Sequence, residues 1–279
     1  MNDIKGTREF INPEKYNIHL LNHFSDTINC DHHDHVKNLY WYTNYRIINI
    51  LVNFCNQYNL SNIIEVGPGK IPFPLATTFI GKNEMIKDYI DLDLDTNKIP
   101  FDDNHFDFIY CRHVLEDIQN PDFLLNEIIR TSKNGFFETP SPLVELTKGV
   151  DGDIINSIHY IGYMHHRYII WTDLENNTIY FLPKYGFLEN LLKFSPEFQQ
   201  QIYDILNNYP VYWNTYYVWT STTNKPKIVM YKNGVNININ TDTDANNLFI
   251  DYSKIIKSMF ETIIKSTNYF IQNYSHYIS

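Results

Sequence analysis

The segment SNIIEVGPG, at residues 61–69, joins a short apolar run to a turn that contains two glycines. The apolar run predicts a short buried strand. Gly67 and Gly69 let the backbone turn tightly and come close to a ligand, because a Cβ atom at either position would be in the way. A buried strand that leads into such a turn is the usual opening of a nucleotide-binding α/β unit. The segment therefore predicts that fold class.

A second segment, IPFDDNHFDFIYCRHVLED at residues 99–117, follows the glycine turn in the chain. It contains another buried strand, predicted over residues 106–110. Together the two segments resemble the core of class I S-adenosylmethionine-dependent methyltransferases, whose members read roughly ExGxG, LPFxDxxFD and HVLEH. The resemblance extends over residues 62–142. It implies S-adenosylmethionine as the cofactor and a Rossmann-like α/β fold: a mostly parallel sheet with closing antiparallel strands and helices on both faces.

Charge and composition limit the classes of partner. The chain has 279 residues, 43% of them hydrophobic, as expected of a folded globular protein. With 32 acidic and 22 basic residues its net charge is −10, which disfavours a broad phosphate-binding face and hence a nucleic-acid acceptor. We see no apolar run long enough to span a membrane and no secretion signal, so no membrane association is expected. The scattered cysteines predict a reducing, cytoplasmic setting.

The chain divides into four segments that we expect to form one integrated domain. They are an N-terminal helical cap (1–60), the cofactor-binding core (61–142), an inserted β-hairpin and helix that form the acceptor-binding region (143–208), and closing strands with a C-terminal helix (209–279). Apolar residues at helical spacing predict helices over 39–58, 187–206 and 248–269. The last of these could be an oligomer seam. Closing antiparallel strands are predicted over 209–220 and 227–231.

The cluster DHHDH, at residues 31–35, offers side chains that bind zinc. Adjacent ligands rarely close one compact site, and no partner cluster is obvious in the sequence. We therefore interpret the cluster as a solvated linker or lid and predict no metal ion.

The ribose-binding acid of the cofactor site depends on which segment is the second strand. Members of the family usually carry, just after that strand, an acid whose carboxylate accepts both ribose hydroxyls. With the second strand at residues 76–80 and the third at 88–93, this position falls on Gly81 or Lys82, and the nearest acid is Glu84. With the second strand at 89–93 instead, the acid would be Asp91 or Asp93.

We favour the first alignment because DTNKIPF, at residues 95–101, matches the family's DAxxLPF. In that motif the aspartate accepts a hydrogen bond from the adenine amino group, so the resemblance assigns this role to Asp95, with the backbone amide of Thr96 beside it. The cofactor-binding residues that the resemblance implies are Glu65, Gly67, Pro68, Gly69, Glu84, Asp95, Thr96 and Cys111.

His113 follows the strand at residues 106–110 and should lie over the cofactor, because ligands bind beyond the carboxyl ends of parallel strands. A neutral imidazole could take a proton from an acceptor hydroxyl or amine, which makes His113 the candidate catalytic base. The alternative is a histidine that orients the turn. The helix predicted after it, over residues 121–130, should end at Asn134 and Gly135, with the next strand over 136–139.

An inserted hairpin is predicted from two strands, over residues 163–171 and 178–183, and this is where the superfamily commonly builds its acceptor pocket. The candidate substrate-binding residues are Tyr163, His165, His166, Arg167 and Trp171. Aromatic faces with polar tips suit a sugar or another polyol, though they also suit ordinary packing. In a strand, adjacent histidines would point to opposite faces, so only one of the pair should face the pocket.

The expected activity is transfer of a methyl group to a hydroxyl or amine of a small molecule or glycan. Two other functions remain open: methylation of a protein or RNA, and a non-catalytic subunit with a methyltransferase fold. The missing acid after the second strand is the main support for the last of these.

Overall fold

The structure is a computed structural model of the whole chain. It describes residues 45–69, 72–82, 89–151, 161–184, 196–231 and 242–274.

The central sheet has six strands: β1 (Ile63–Val66), β2 (Thr78–Gly81), β3 (Ile90–Asp91), β4 (Phe106–Arg112), β5 (Ser132–Pro140) and β8 (Asn214–Trp219). Their order is β3-β2-β1-β4-β5-β8, with the first five parallel and β8 antiparallel to β5. The central strands are buried on both faces, as parallel strands covered by helices are. The predicted α/β fold with a mostly parallel sheet is confirmed.

Helices cover both faces of this sheet. They are α1 (Tyr45–Gln57), α2 (Pro121–Thr131), the single turn α3 (Pro142–Glu145), α4 (Pro196–Asn208) and α5 (Asp242–Tyr274). The apolar side of α1 packs in one core cluster with Ile63 and Phe108, and that of α2 in a second cluster with Ile64 and Ile109. In the described part of the chain, no helix combines the length and the apolar composition needed to cross a membrane.

Helix boundaries differ from the predictions at several ends. The helix predicted over 39–58 is described from residue 45 onwards, and the helix predicted over 187–206 from residue 196 onwards; the earlier residues of both lie outside the described ranges. The C-terminal helix is longer than predicted at both ends. Most of the predicted cap, and the cluster at residues 31–35, also lie outside the described residues.

A smaller sheet contains the predicted hairpin, formed by β6 (Tyr168–Asp173) and β7 (Thr178–Pro183), together with β9 (Lys227–Met230). The prediction that β9 closes the central sheet as an antiparallel strand is wrong, because β9 pairs parallel to β7. Asn177 fixes this pairing: its side-chain amide donates to the carbonyls of Asn224 and Lys225, and its own carbonyl accepts from Lys227.

Gly135 lies inside β5 rather than at the end of the preceding helix, so the predicted helix end is wrong. The helix already ends at Thr131, and β5 begins at the next residue. A Cβ atom on Gly135 would overlap the ring of Trp219 and lie 2.5 Å from Cγ2 of Ile109. The indole of Trp219, which is 4% exposed, therefore occupies the space that a side chain at residue 135 would take.

We expect Gly135→Ala to lower the free energy of unfolding by about 3 kcal/mol, the upper end of typical overpacking costs. Urea unfolding measures it. Trp219→Leu removes the overlapping ring but leaves Ile109 in place, so Gly135→Ala should cost less in that background without becoming neutral. An equal cost in both backgrounds would show that the indole is not the obstacle.

Candidate cofactor and acceptor site

The glycine turn lies at the carboxyl end of β1, and its two glycines have different roles. Gly67 has a φ of +64° and donates its N–H to the carbonyl of Ile80 at 2.8 Å. A Cβ on Gly67 would overlap the Val114 side chain, so the fold itself requires a glycine there. A Cβ on Gly69 would meet no described atom within 4 Å. Among the described residues, therefore, the space beside Gly69 is open, whereas that beside Gly67 is filled.

Glu65 holds the loop that follows the glycine turn. Its buried side chain accepts the backbone N–H of Phe73 at 2.8 Å through Oε2. Burial raises the pKa of this carboxyl group to about 7, against the opposing effects of the Phe73 hydrogen bond and of Arg112. Pro68 is buried beside it. Glu65 thus holds the loop in place through its hydrogen bond to the backbone of Phe73.

We expect a pH-dependent stability difference between the wild type and Glu65→Gln. Because the folded-state pKa is raised, the stability present at low pH is lost as the pH rises through about 7. The glutamine of the variant carries no charge and can still accept the Phe73 hydrogen bond. Between about pH 5 and pH 8, the free energy of unfolding of the wild type should fall by up to about 3 kcal/mol more than that of the variant. Urea unfolding at both pH values tests this, and parallel losses would contradict it.

Strand pairing places the ends of β2 and β3 next to the turn. β2 pairs parallel to β1, and β3 pairs parallel to β2, which agrees with the strand order of the first alignment. Gly81, with a φ of +132°, is the last residue of β2 and packs against Gly67. Glu84 lies outside the described residues. The carboxylate that would bind ribose is therefore absent from the end of β2 itself.

Asp95 has a structural role in addition to the predicted one. Its Oδ1 accepts the backbone N–H groups of Gln119 at 2.5 Å and Asn120 at 3.2 Å, just before α2. Among the described residues, no hydrogen bond to Oδ2 is seen, so this oxygen is the one that the predicted role would use. Thr96 beside it is exposed. The thiol of Cys111, on β4, is buried and burial raises its pKa well above the ordinary value, so contact with a cofactor would come from its backbone.

His113 sits at the end of β4 in the left-handed region, with a φ of +50°. Its backbone N–H donates to the carbonyl of Glu138 at 2.9 Å, and its Nε2 lies 3.0 Å from Oδ1 of Asn214. Since an amide oxygen only accepts, Nε2 carries the proton and Nδ1 the lone pair. Burial, then the charge of Arg112, lowers the pKa of His113 well below its usual range. The ring is neutral and a weak base.

Residues 163–167 form a turn, and the strand predicted over them begins only at Tyr168. The reason is that the backbone amides of Arg167 and Tyr168 both donate to the carbonyl of Glu116, at 2.7 and 3.2 Å. Strand alternation therefore does not separate His165 from His166. Their rings contact each other edge to face with centroids 4.4 Å apart, and Nε2 of each lies 4.0 Å from Oδ1 of Asp117.

The other hairpin residues lie in different surroundings. Trp171 is 1% exposed and stacks on Tyr180 and Tyr231, so no face of its ring is open to an acceptor. Tyr163 is buried, and Arg167 is exposed. The structure thus brings His165 and His166 together at Asp117 and leaves Trp171 in the core.

Glu145 and Lys184 form a buried ion-pair network that contacts His166. Nδ1 of His166 is 2.6 Å from Oε1 of Glu145, and the ammonium group of Lys184 is 2.6 Å from Oε2 of Glu145 and from the carbonyl of Tyr163. Although burial acts to raise the pKa of Glu145, Lys184 and His166 lower it to about 2. Burial acts to lower the pKa of His166, but Glu145 raises it above its usual value. Gly162 makes room for this network, since a Cβ there would lie 2.6–2.7 Å from its groups.

Sequence reasoning missed Asp117, Glu145, Lys184 and Asn214 as site residues. Asp117 carried the clearest signal, because it stands where the family pattern HVLEH ends in histidine. Glu145 and Lys184 are brought to His166 only by the fold. A separate recess of about 470 Å³, lined by the loop at residues 98–105 and Arg130, lies at the amino end of β4 and so away from the glycine turn.

Comparison with known proteins places the family resemblance in the cofactor half. Residues 62–137 match the family model described as a methyltransferase domain. This match confirms the predicted resemblance to class I methyltransferases over these residues and supports S-adenosylmethionine as the cofactor. No match was found among curated proteins.

Solved structures overlap with parts of the chain. A SAM-dependent methyltransferase from Aquifex aeolicus is 16% identical, over 37% of this chain and 67% of that one, with a TM-score of 0.27. An S-adenosylmethionine-dependent methyltransferase from Clostridium acetobutylicum is 14% identical, over 37% and 52%, with a TM-score of 0.28. One from Mesorhizobium loti is 15% identical, over 44% and 56%, with a TM-score of 0.25. The chain spans about half to two thirds of the length of these proteins.

Proposed function

We propose that the chain is an S-adenosylmethionine-dependent methyltransferase that acts on a hydroxyl or amine of a small molecule or glycan. The observation that carries the proposal is the family match over residues 62–137, which includes the glycine turn at the carboxyl end of β1. The space beside Gly69 fits a ligand that approaches the backbone closely. Gly69 and the loop held by Glu65 would face the amino-acid end of the cofactor, and Asp95 the adenine.

The chain's own contribution to the reaction is binding and alignment. The cofactor supplies the sulfonium methyl group, and the acceptor must approach it in line. His113, at the carboxyl end of β4, is the candidate base for the acceptor's proton. Its lowered pKa makes it a modest base, which suits an acceptor that is already acidic or becomes so when bound. Arg167, which is exposed and follows the two histidines of the turn, could bind an anionic group of the acceptor.

Two features favour a small acceptor over a polymer. The net charge of −10 opposes binding of RNA. The candidate acceptor residues come from one turn of the inserted segment, which suits a compact ligand. A cytoplasmic location, supported by the scattered cysteines, and an oligomer seam along α5 are part of this proposal. A non-catalytic subunit is the second candidate, supported by the lack of an acid at the end of β2.

Calorimetry with S-adenosylmethionine, followed by transfer of a labelled methyl group to sugars, nucleotides and peptides, tests the proposal. We expect binding, and incorporation into a sugar or small polyol. Absence of cofactor binding would overturn the proposal. Cofactor binding without transfer to any acceptor would favour the non-catalytic subunit. Transfer to peptides or RNA would favour a methyltransferase that acts on a polymer.

Asp95→Ala should weaken cofactor binding by about 1–3 kcal/mol, the loss expected for a hydrogen bond to a charged group. Asp91→Ala is the matched control, because Asp91 is exposed at the end of β3 and belongs to the other alignment. Since Asp95 also binds two backbone amides, thermal unfolding must accompany the calorimetry. If Asp91→Ala weakened cofactor binding and Asp95→Ala did not, the assignment of adenine binding to Asp95 would be contradicted.

A further inference from the structure

We infer that His165, His166 and Asp117 bind a first-row divalent transition-metal ion, such as Zn²⁺. Oδ1 of Asp117 lies 4.0 Å from Nε2 of each histidine. All three ligand atoms lie within 4.8 Å of one another. Two imidazoles and one carboxylate are the donor set of many open zinc sites. The inference concerns the acceptor side of the site and extends the proposed function.

The three ligand atoms need to move only slightly closer together to bind the ion. Metal–ligand bonds of about 2.0–2.2 Å separate the atoms of a tetrahedral site by about 3.4 Å. The side chain of His165 is 49% exposed and that of Asp117 is 40% exposed, so both can move inward. His166, with a side chain that is 0% exposed, is the fixed point of the cluster. Two nitrogen ligands favour zinc-like ions over Mg²⁺ or Ca²⁺, which prefer oxygen.

His166 is held as metal-binding histidines are held. Its Nδ1 lies 2.6 Å from a Glu145 carboxylate oxygen, and Glu145 is itself fixed by Lys184. This contact directs Nε2 towards Asp117. A carboxylate on the far nitrogen is the usual outer partner of a metal-bound imidazole, because it fixes the ring and strengthens the ligand.

Buried carboxyl oxygens without a hydrogen-bond donor among the described residues also lie at the cluster. Three carboxyl groups surround His166: Glu116, Asp117 and Glu145. Glu116 is 1% exposed, and both its carboxyl oxygens are buried without a hydrogen-bond partner among the described residues. Oδ1 of Asp117 is likewise buried and accepts no hydrogen bond from them. Buried carboxyl groups are costly unless a proton, a hydrogen bond or an ion compensates them. A divalent ion at Asp117 would do so.

The position of the cluster indicates what the ion would bind. Asp117 follows the end of β4 by five residues, and the backbone N–H of Arg167 donates to the carbonyl of Glu116, so the ion would lie beyond the carboxyl end of β4. Three protein ligands leave at least one coordination position open. An acceptor with a hydroxyl or carboxylate oxygen could occupy it and be held next to the methyl group. This part rests on the proposed function, whereas metal binding itself does not.

Calorimetry with ZnCl₂ on the full chain, after treatment with a chelator, tests the site. Asp117→Asn and His165→Ala alter partly exposed side chains and should leave the fold intact. Each should weaken Zn²⁺ binding by more than the roughly 10–100-fold typical of losing an outer partner. His105→Ala is the matched control, because His105 is exposed and lies at the other end of β4. Its Zn²⁺ affinity should equal that of the wild type.

A second control removes the competing histidines at residues 31–35. The triple variant His32→Ala, His33→Ala and His35→Ala should retain the Zn²⁺ site. Unchanged binding in both Asp117→Asn and His165→Ala, or loss of binding in the triple variant, would overturn the inference. S-adenosylmethionine affinity measured on the same proteins keeps the two proposals apart: cofactor binding without Zn²⁺ binding refutes the metal site alone, and Zn²⁺ binding without cofactor binding refutes the proposed function alone.

Discussion

Gly69→Val is expected to weaken S-adenosylmethionine binding by roughly 100-fold while leaving the protein folded. The structure offers a clean test here, because a Cβ on Gly69 meets no described atom within 4 Å. The valine side chain would instead fill the space through which the cofactor reaches the backbone. We expect a loss of about 3 kcal/mol in binding free energy, roughly 100-fold in affinity, from the steric overlap alone. Calorimetry measures the affinity, and thermal unfolding should show a nearly unchanged midpoint.

Gly67→Val is the informative contrast to Gly69→Val. At residue 67 the backbone is left-handed and a Cβ would overlap Val114, so valine there should destabilise the fold as well as the site. Loss of cofactor binding in the Gly67 variant would therefore not show by itself that Gly67 contacts the cofactor, because a destabilised fold would also weaken binding. Undiminished binding to the Gly69 variant would show that the cofactor does not approach this turn.

Lys184→Met is expected to lower the free energy of unfolding by about 3–5 kcal/mol, the usual cost of breaking a buried ion pair. The side chain of Lys184 is 9% exposed and that of Glu145 is 1% exposed. Without the ammonium group, the Glu145 carboxylate keeps only His166 as a charged hydrogen-bond partner among the described residues. The carbonyl of Tyr163 loses the Lys184 hydrogen bond as well and keeps the longer one, at 3.3 Å, from the backbone N–H of His166. Urea unfolding at neutral pH measures the change.

Lys133→Met provides the matched control for Lys184→Met. Lys133 also forms an ion pair, with Asp107 at 3.0 Å, but its side chain is 48% exposed. Removing an exposed pair should cost about 0–1 kcal/mol. Glu145→Gln in the Lys184→Met background should recover part of the lost stability, because it removes the buried charge. Similar costs for the two lysines would contradict the role of burial.

The parts of the fold that could be predicted are those encoded by neighbouring residues. An apolar run with a glycine turn is enough to predict β1 and its turn, and two strand-like runs separated by turn residues are enough to predict the hairpin of β6 and β7. The pairing of β9 could not be predicted, because it depends on Asn177, far away in the chain. The need for a glycine at residue 135 could not be predicted either, because it depends on Trp219, which lies on the antiparallel strand β8 and packs over this position.

The candidate site was predictable to a smaller extent, for the same reason. Asp95 can be found by its spacing, but its bonds to Gln119 and Asn120 cannot. The turn at residues 163–167 looks like a strand in sequence, since nothing there shows that its amides bind the carbonyl of Glu116. Trp171 could equally have lined a pocket, and its stacking on Tyr231 of a distant segment decides that it does not.

The register of β5 and β8 has a consequence for how this protein can change. Pro140 pairs directly with Asn214, so the chain leaves the central sheet and re-enters it at facing residues. Everything between them, including the two histidines, is one excursion with adjacent endpoints. The turns of this excursion can be lengthened or shortened at little entropic cost, because closure depends only weakly on length, whereas β7 is held by its pairing with β9. We therefore expect acceptor preference to evolve by changes in these turns, while the strands on both sides keep their register.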